Sequence, residues 1–342
     1  MNRQSTLHDV AELAGVHPST VSRALNEHTR SMVSVETRTR VIEAASQLMY
    51  QPNALARSLK INRTMTIGML VPDLTNPLFP PIIRGIEDRA GEAGYSLLMA
   101  NTDNVDEKER NLLDVMIRRR VDGLVLATAK RVHPLLTDLA SRDFPVVLVN
   151  RTADQPVLPS VAGDDHAGVG SAIKHLVDLG HRRIAHLAGT ATVSTGVNRR
   201  QSFMTWVRSF GLEPDPTLIV SCQWFREEDG EVAFEELLDR NAPFSAVVAA
   251  NDLIALGCYT VAKRRGIRVP HDISIVGYND TRFAGEFCPP LTTVRVPLYE
   301  MGVQTVELLI DRIASSHPST GSIRLNPHIV VRESTGPPRD LG

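Results

Sequence analysis

The stretch TLHDVAELAGVHPSTVSRALN, residues 6–26, predicts two short helices joined by a tight turn. Thr6 and Asp9 form the threonine-x-x-acid pattern that starts a helix, and Gly15 stands where that helix should end. Pro18 favours the first turn of a second helix, because the fixed φ of proline suits that position and its missing N–H is not needed there. The front of the chain is therefore predicted to be helical.

The second of these helices separates its polar from its apolar side chains. At about 100° per residue, one arc carries short hydrogen-bonding side chains and an arginine, and apolar side chains fall on the opposite side. The polar arc holds Ser19, Ser22, Arg23 and Asn26, and the apolar side holds Val21, Ala24 and Leu25. Such an arc suits base edges and phosphates in the major groove of DNA. Taken alone, the helix leaves open the alternative of an ordinary solvated face.

A third helix and a short hinge segment are predicted next. Ser34 is a candidate N-cap for a helix whose apolar side carries Val41, Ala45 and Leu48. The stretch NALARSLK, residues 53–60, offers about two turns of helix, too few for an isolated helix to be stable in water. We expect this segment to become ordered only when docked, although a plain interdomain linker is the alternative. A domain boundary is predicted here.

From Met65 onward, short apolar runs alternate with helical stretches. Seven runs read as parallel strands covered on both faces: TIGMLVP, SLLMAN, GLVLAT, PVVLVN, RIAHLAG, SAVVAAN and ISIVGYND. Glycines stand where helices should stop, at Gly94, Gly180, Gly211 and Gly266. So many strands predict an α/β fold of two doubly wound lobes, with a cleft at the carboxyl ends of the strands. The expected divisions are residues 1–51, 52–64 and 65–336, with a tail at 337–342.

Composition and charge limit the classes of function. The 342 residues suffice for two or three domains, and no apolar run is long enough to span a bilayer. The N-terminus lacks the apolar core of a signal peptide, so a cytoplasmic protein without membrane contact is expected. The net charge of −2 hides a split, because residues 1–63 carry +3 and the remainder carries −5. Contact with DNA is therefore expected at the front of the chain.

The sequence shows no pattern typical of an enzyme, a cofactor site or a metal site. It lacks the GxGxxG, GxxxxGK[ST] and GxSxG motifs, and Cys222, Cys258 and Cys288 form no CxxC pair. We therefore expect no catalysis, no cofactor and no metal. A sugar-binding module without DNA contact would fit the second half alone, but the missing signal peptide and the helical front argue against it.

The front of the chain resembles the DNA-binding domain of the lactose/galactose repressor family. The likeness covers residues 6–26 and continues through SVETRTRVIEAA, YQPN and ARSLK. It implies base contacts from Pro18, Ser19 and Arg23, and contacts on or near phosphates from Thr6, His8, Thr20, Ser22 and Asn26. It also implies a hinge helix with Asn53, Ala56 and Leu59 at the minor groove, where Leu59 wedges between bases and kinks the duplex. Two features depart from the family pattern: His17 replaces a common serine cap, and the loop at residues 26–33 is longer than usual.

Residues 66 to about 336 look like the sensor of the same family, itself similar to periplasmic sugar-binding proteins. The stretches VPDLTNPLF, GHRRIAHLAG, ANDLIALG, ISIVGYND and PLTTVRVP carry this likeness. It implies effector contacts from Asn76, Phe79, Asp164, Arg199, Phe225, Asn251 and Asn279. Aromatic, amide and guanidinium side chains suit a polyol. Asn279 stands where the family commonly has aspartate, and the loss of a carboxylate beside Arg199 slightly favours a sugar acid or sugar phosphate over a neutral sugar. For Asp252 and Asp280, capping or turn chemistry is the preferred interpretation.

The resemblance implies a function for the whole chain. It predicts a transcriptional repressor that binds pseudo-palindromic, double-stranded operator DNA as a homodimer formed through the sensor. A small sugar, sugar acid or sugar phosphate between the two lobes would control its operator affinity.

Overall fold

The computed structural model describes residues 5–25, 29–50, 63–142, 144–155, 157–315 and 321–339. The chain divides into two compact units, Met1–Thr64 and Met65–Gly342. Four residues with predicted roles at DNA lie outside the described residues: Asn26, Asn53, Ala56 and Leu59. Within the described ranges, no helix is long and apolar enough to cross a membrane.

Three α-helices form most of the described part of the first unit: α1 (Leu7–Ala14), α2 (Pro18–Ala24) and α3 (Val35–Gln47), with a 3-10 turn at Arg30–Met32. The predicted helix starts are confirmed. Thr6 Oγ1 accepts a hydrogen bond from the N–H of Asp9 at 3.3 Å, and Asp9 Oδ2 accepts one from the N–H of Thr6 at 2.7 Å. Gly15 ends α1 with a φ of 63°. The helices share a small apolar core of Val10, Ala11, Ala14, Val21, Ala24, Val41, Ala44 and Ala45.

The first lobe of the second unit is built on a parallel sheet. Its strands are β1 (Thr66–Val71), β2 (Ser96–Asn101), β3 (Gly123–Leu126), β4 (Val146–Val149), β5 (Ser160–Gly163) and β11 (Ile323–Leu325). They lie in the order β11-β5-β4-β3-β1-β2. Its helices are α4 (Phe79–Glu92), α5 (Asp106–Arg118), α6 (Pro134–Ser141) and α11 (Leu298–Ala314). Every residue of β3 and β4 is buried, which explains their continuous apolar sequences.

The second lobe repeats this architecture. Its strands are β6 (Ile184–Ala188), β7 (Ile219–Ser221), β8 (Ala246–Ala249), β9 (Ser274–Asn279), β10 (Thr292–Arg295) and β12 (His328–Val330). They lie in the order β12-β10-β9-β8-β6-β7, and β12 runs antiparallel to β10. The helices are α7 (Asp165–Asp178), α8 (Ser194–Ser209), α9 (Glu227–Asp239) and α10 (Asp252–Arg265), with 3-10 turns at Pro216–Leu218 and Ala284–Glu286. The predicted pair of α/β lobes is confirmed.

The described chain passes between the lobes at three neighbouring places. These are the junction of β5 and α7, residues 296–297 before α11, and residues 326–327 between β11 and β12. The backbone N–H of Asp164 donates to the carbonyl of Leu325 at 2.9 Å, so the first and third crossings are directly bonded. Side-by-side crossings of this kind allow two lobes to hinge about one axis.

Five strands were not predicted from the sequence: β5, β7, β10, β11 and β12. All are three or four residues long. In β10, the buried Thr292 and Thr293 break the apolar run that identifies the other strands. The Thr293 hydroxyl donates to Asp252 Oδ1 at 2.6 Å, so this buried hydroxyl has a hydrogen-bond partner.

Two glycines bring α9 and α10 into backbone contact. A Cβ added at Gly257 would lie 2.3 Å from the carbonyl oxygen of Glu227, and one added at Gly230 would lie 2.3 Å from the carbonyl oxygen of Ile254. Neither position leaves room for a side chain. The contact sets the position of the α9 N-terminus, which lies at the cleft between the lobes.

Candidate DNA-reading face and interlobe cleft

The predicted face of α2 is exposed in the structure. Ser19, Ser22 and Arg23 are exposed, whereas Val21 and Ala24 are buried in the core of the first unit. Pro18 and Thr20 are half-buried on the same helix, and Thr6 and His8 are exposed at the start of α1. The amphipathic pattern predicted for this helix is therefore confirmed over its described residues. An exposed arginine among hydroxyl side chains has the chemistry needed to bind guanine edges and phosphates.

His17 and the described end of the longer loop both form hydrogen bonds with α2. His17 Nδ1 accepts a hydrogen bond from the N–H of Ser19 at 3.2 Å and lies 2.8 Å from Ser19 Oγ, so the imidazole replaces a serine as the N-cap. At the other end of α2, the Thr29 hydroxyl donates to the carbonyl of Arg23 at 3.1 Å. The described end of the longer loop is thereby bonded to the helix that carries the exposed face.

A cleft of about 770 Å³ lies between the lobes of the second unit. It is lined from the first lobe by the loops after β1 and β2, and from the second lobe by the loop after β7 and the starts of α9 and α10. The lining residues are Pro72, Asp73, Thr75, Asn76, Pro77, Asp103, Gln223, Trp224, Arg226, Glu227, Glu228, Asp229 and Leu253. This volume, and a position at the carboxyl ends of parallel strands, are typical of small-molecule sites.

The two lobes are also joined by direct hydrogen bonds. The N–H of Arg131, after β3, donates to the carbonyl of Thr192 at 3.1 Å. The N–H of Thr152, after β4, donates to Ser194 Oγ at 2.8 Å. The first bond joins a loop of the first lobe to the segment between β6 and α8, and the second joins another loop of that lobe to the first residue of α8. A change in the angle between the lobes would have to break or rearrange these bonds.

Arg199 lies at the centre of a buried polar cluster. Its Nε donates to Asp165 Oδ1 at 2.8 Å, its Nη1 donates to the carbonyl of Ala250 at 2.6 Å, and its guanidinium lies 3.8 Å from the ring centre of Tyr278. Arg199 is 5% exposed and Asp165 is 7% exposed. Burial alone would lower the pKa of Arg199, but Asp165 and Tyr278 more than offset it, so the pKa is raised. The guanidinium is therefore charged, and Asp165 already neutralises it.

This cluster bears on the interpretation of Asn279. Asparagine at this position predicts that Arg199 lacks a neighbouring carboxylate, which slightly favours a sugar acid or sugar phosphate over a neutral sugar. The structure supplies that carboxylate from Asp165, 34 positions before Arg199 in the chain, because α7 and α8 pack together. Asparagine at position 279 therefore does not leave Arg199 without a carboxylate partner.

Asn279 and Asn251 occupy strand ends at the same edge of the second sheet. Asn279 ends β9 with a φ of 109°, a left-handed conformation that is strained for asparagine, and is 4% exposed. Its Oδ1 accepts no hydrogen bond from any described residue. Asn251 is the N-cap of α10: its Oδ1 accepts from the N–H of Ile254 at 2.9 Å, and its Nδ2 donates to the carbonyl of Phe225 at 3.1 Å. Asn279 thus offers an unused buried acceptor, whereas Asn251 holds the loop after β7.

Of the seven predicted effector residues, Asn76 lines the main cleft, and the other six, Arg199, Asn251 and Asn279 among them, lie outside its lining. Phe79 begins α4 but is 1% exposed and belongs to the core of the first lobe. The Phe225 ring packs over Gly189, where an added Cβ would lie 2.3 Å from the ring. Asp164 caps α7 by accepting from the N–H of Ala167 at 3.0 Å, and lines a second cavity of about 430 Å³ beside the first crossing.

Two residues of this region were missed by the sequence reasoning. Trp224 lines the cleft in the place expected for its neighbour Phe225, and its position in a polar loop after a strand was the available signal. Asp165 holds Arg199, and the available signal was the aspartate pair in GDDHAG.

Asp252 and Asp280 have the structural roles that were preferred for them. Asp252 accepts from the N–H of Thr281 at 2.7 Å and from the Thr293 hydroxyl, and burial raises its pKa to about 6. Asp280 forms an ion pair with Arg332 at 2.7 Å. Both carboxylates therefore organise the turn after β9.

Comparison with known proteins identifies both units. Residues 6–53 match the family of bacterial regulatory proteins, lacI family, and residues 64–330 match periplasmic binding proteins and sugar binding domain of LacI family. The HTH-type transcriptional regulator DegA of Bacillus subtilis (strain 168) is 36% identical over 339 residues, covering 98% of this chain and 99% of that protein.

Solved structures of related regulators match this chain over nearly its whole length. A transcriptional regulator CelR–cellobiose complex matches with a TM-score of 0.75 and 33% identity, covering 96% of this chain and 99% of that chain. The structure of the lac repressor dimer bound to operator and the anti-inducer ONPF matches with a TM-score of 0.86 and 28% identity. The match covers 98% of this chain and 100% of that chain. These relatives are regulators of transcription and not enzymes, as the sequence predicted for this chain. With both units matched, the chain belongs to the LacI family of bacterial regulators, whose members bind DNA and control transcription.

Proposed function

We propose that this regulator is a repressor that binds an operator in the cytoplasm as a homodimer and responds to a hydroxyl-rich effector between its lobes. The observation that carries the proposal is the presence, in one chain, of an exposed reading face on α2 and a cleft that two lobes line together. The first supplies DNA contact, and the second supplies a ligand site whose occupancy favours one angle between the lobes.

The DNA contacts are proposed to follow the exposed face. Arg23 would bind a guanine edge, and Ser19 and Pro18 would contact neighbouring bases. Thr6, His8, Thr20, Ser22 and Asn26 would position the unit on the phosphates. One short helix reads only a few base pairs, so a two-fold dimer on a pseudo-palindrome would supply the remaining affinity.

The effector contacts are proposed on both sides of the cleft. Asn76 would bind from the first lobe, and Trp224 could stack on the apolar face of a sugar ring from the second. The unpartnered Oδ1 of Asn279 would accept a ligand hydroxyl, and Arg199 would donate to one. A ligand held from both lobes stabilises their closed arrangement. Solved relatives with bound ligands include a CelR–cellobiose complex and the lac repressor dimer bound to operator and the anti-inducer ONPF.

The coupling of the two functions is proposed to pass through the hinge segment at residues 53–60. This segment is too short to be a stable helix by itself, so DNA on one side and lobe geometry on the other would decide whether it is ordered. Asn53 and Ala56 would face the minor groove, and Leu59 would insert between bases.

Selection of duplexes from a random pool by the full chain tests the proposal. The expected product is a two-fold-related sequence whose binding weakens as salt rises and changes on addition of one sugar from a panel of sugars and polyols. Recovery of no preferred sequence would contradict the DNA-reading assignment. A preferred sequence whose binding no member of the panel alters would contradict the effector assignment alone.

The homodimer is tested by sedimentation of the full chain. A dimer at micromolar concentration is expected, because the proposed operator has two equivalent halves. A stable monomer at that concentration, or a tetramer in dilute solution, would contradict this part of the proposal.

A further inference from the structure

We propose that the second cavity of the second unit binds a zwitterion of amino-acid size, at a site separate from the interlobe cleft. This cavity has a volume of about 430 Å³, which is enough for a small molecule. The inference goes beyond the proposed function, because it adds a second ligand whose binding does not depend on the first. The lining residues, none of which lines the cleft, are Gly163, Asp164, Asp165, His166, Asn198, Gln201, Ser202, Thr205 and Arg324.

Both lobes contribute walls to this cavity beside the crossings. Gly163 ends β5 and Arg324 lies on β11, and these two paired strands belong to the sheet of the first lobe. The opposite wall is a face of α8 in the second lobe, where Asn198, Ser202 and Thr205 follow one another at helical spacing. A ligand in contact with both walls favours one angle between the lobes.

Ser202 indicates that this cavity suits a polar ligand. The residue is 6% exposed, and its hydroxyl has no hydrogen-bond partner among the described residues. Unlike the unpartnered atoms of His186 and Asn279, the hydroxyl oxygen is not fully enclosed by protein, and Ser202 lines the cavity. A buried hydroxyl without a partner lowers stability, and alanine at this position would avoid that cost. A ligand that bonds to the hydroxyl removes the cost as well.

Two opposite charges line the cavity without pairing with each other. Asp164 and Arg324 lie at the same edge of the first sheet, since the N–H of Asp164 donates to the carbonyl of Leu325 at 2.9 Å. Within the described part of the chain, neither side chain forms an ion pair. Asp164 Oδ1 accepts from the N–H of Ala167, which leaves Oδ2 for another donor. The guanidinium of Arg324 is exposed and has all its donors available.

These two charges select the class of ligand. Asp165, the other carboxylate of the lining, is already neutralised by Arg199 at 2.8 Å. An amino acid carries the complementary pair of groups, a carboxylate for Arg324 and an ammonium for Asp164, and both bonds would be charge-assisted. A neutral polyol would leave both charges unused. A simple anion or cation would be attracted by one of them and repelled by the other.

The remaining groups of the lining suit a polar side chain on the ligand. Asn198 and Gln201 carry amides and Thr205 carries a hydroxyl, and these side chains form no hydrogen bonds with other described residues. One edge of the cavity is held in place by an aromatic contact. The imidazole of His166 stacks on Trp206 with 5.1 Å between ring centres, and Trp206 Nε1 donates to the carbonyl of His166 at 2.9 Å. A wall that is already fixed lowers the cost of ordering side chains on binding.

Calorimetric titration of the full chain with the common L-amino acids tests the proposal. At least one of them is expected to bind. Its N-acetyl derivative lacks the ammonium and its carboxamide lacks the carboxylate, so each should bind more weakly by about tenfold or more. Absence of binding by every amino acid at millimolar concentration would overturn the proposal, and so would a blocked derivative that binds as tightly as its parent.

Substitutions in the lining assign the contacts. Arg324→Gln removes an exposed guanidinium, and Asp164→Asn removes a carboxylate charge but keeps a good N-cap for α7. Each should weaken binding of the amino acid by about tenfold or more. Ser202→Ala should weaken it by about threefold or more, with an unchanged or raised melting temperature. Arg208→Gln and Asp178→Asn remove the same charges from exposed positions on α8 and α7 outside the lining, and should leave binding unchanged.

A variant of the main cleft tests the location of the site. Trp224→Ala removes an aromatic side chain from the lining of the cleft and should not alter amino-acid binding. An affinity that is lost in Trp224→Ala and retained in Arg324→Gln would place the amino acid in the cleft and overturn the second site. Sugar binding should be the same in wild type and Arg324→Gln, so a failure of this proposal is distinguishable from a failure of the proposed function.

Discussion

The carboxylate of Asp165 and the guanidinium of Arg199 form a buried ion pair at 2.8 Å that joins the first turn of α7 to α8. Asp165 begins α7 directly at the first crossing between the lobes, and the backbone N–H of Asp164 donates to Leu325, next to the third crossing. The ion pair therefore connects the first crossing between the lobes to Arg199, the residue expected to bind the effector. A change in the contacts of Arg199 would therefore act directly on the crossings between the lobes, because no other element lies between them.

Removal of Arg199 should affect both ligand binding and stability. Arg199→Ala leaves Asp165 buried without its partner, at a cost of about 3–5 kcal/mol in the free energy of unfolding. Arg199→Lys keeps the charge but loses the planar fork that reaches Asp165 and Ala250 together. We expect Arg199→Lys to bind operator DNA as wild type does and to lose the response to the effector. Urea denaturation and operator titration with and without ligand check both expectations. A lysine variant that loses DNA binding in proportion to ligand binding would show that Arg199 supports only the fold.

Arg23 should decide preference at one base pair of each operator half. Arg23→Ala removes the guanidinium from the exposed face of α2 and should cost about 1–3 kcal/mol in operator binding, while binding to random duplex barely changes. Fluorescence anisotropy on both duplexes measures the difference. Arg40→Ala removes an exposed charge from α3 and serves as the control. Equal weakening on both duplexes by Arg23→Ala would mean that Arg23 binds phosphate alone.

The parts of the fold predicted from the sequence are those encoded locally. Thr6 with Asp9, Pro18 and Gly15 specify helix ends within a few residues, and the continuous apolar runs specify strands that are buried on both faces. The exposed face of α2 follows from helical periodicity alone. None of these features depends on a distant part of the chain.

The parts that could not be predicted depend on tertiary packing. Which of the adjacent Trp224 and Phe225 faces the cleft is decided by the path of the loop after β7 and by the space over Gly189. Phe79 enters the core because α4 presents its first turn to the sheet. The partner of Arg199 is set by the packing of α7 against α8, which no spacing in the sequence reveals.

His186 should make the second lobe sensitive to acid. Its imidazole is fully buried on β6, stacks on Phe203 and bonds to the carbonyl of Val248. Burial lowers its pKa from 6.5 to about 4, assisted by the charges of Arg199 and Arg200 and partly opposed by the bond to Val248. Between these pH values the unfolded chain binds a proton that the folded chain does not. Stability from this group is therefore fully present above about pH 6.5 and falls, by up to about 3 kcal/mol, as the pH drops to 4.

The measurement is urea denaturation of wild type and His186→Phe at several pH values. The phenyl ring keeps the stack on Phe203 but cannot titrate, so the stability of wild type relative to the variant should decline as the pH falls from 6.5 to 4. His271→Phe removes an exposed imidazole and controls for the loss of a histidine as such. A constant difference between wild type and His186→Phe across this range would contradict the assignment.

Gly257 should be required for both the stability of the second lobe and the shape of its cleft. A methyl group there would lie 2.3 Å from the carbonyl oxygen of Glu227 and 2.5 Å from the nitrogen of Glu231, and backbone atoms cannot rotate away as a side chain would. Gly257→Ala must therefore move α9 away from α10, at a cost of about 1–3 kcal/mol in the free energy of unfolding. Because Glu227 and Glu228 belong to the first turn of α9 and line the cleft, the same shift should weaken effector binding while operator binding in the absence of ligand is retained.

Gly91→Ala is the matched control for Gly257→Ala. Gly91 lies in α4 with nothing within 4 Å of an added Cβ, and the substitution should stabilise the protein by about 0.5–1 kcal/mol through helix propensity. Thermal denaturation and ligand titration on the two variants measure the contrast. Wild-type stability and affinity in Gly257→Ala would show that α9 can be repositioned without cost, and that the glycine contact does not set the shape of the cleft.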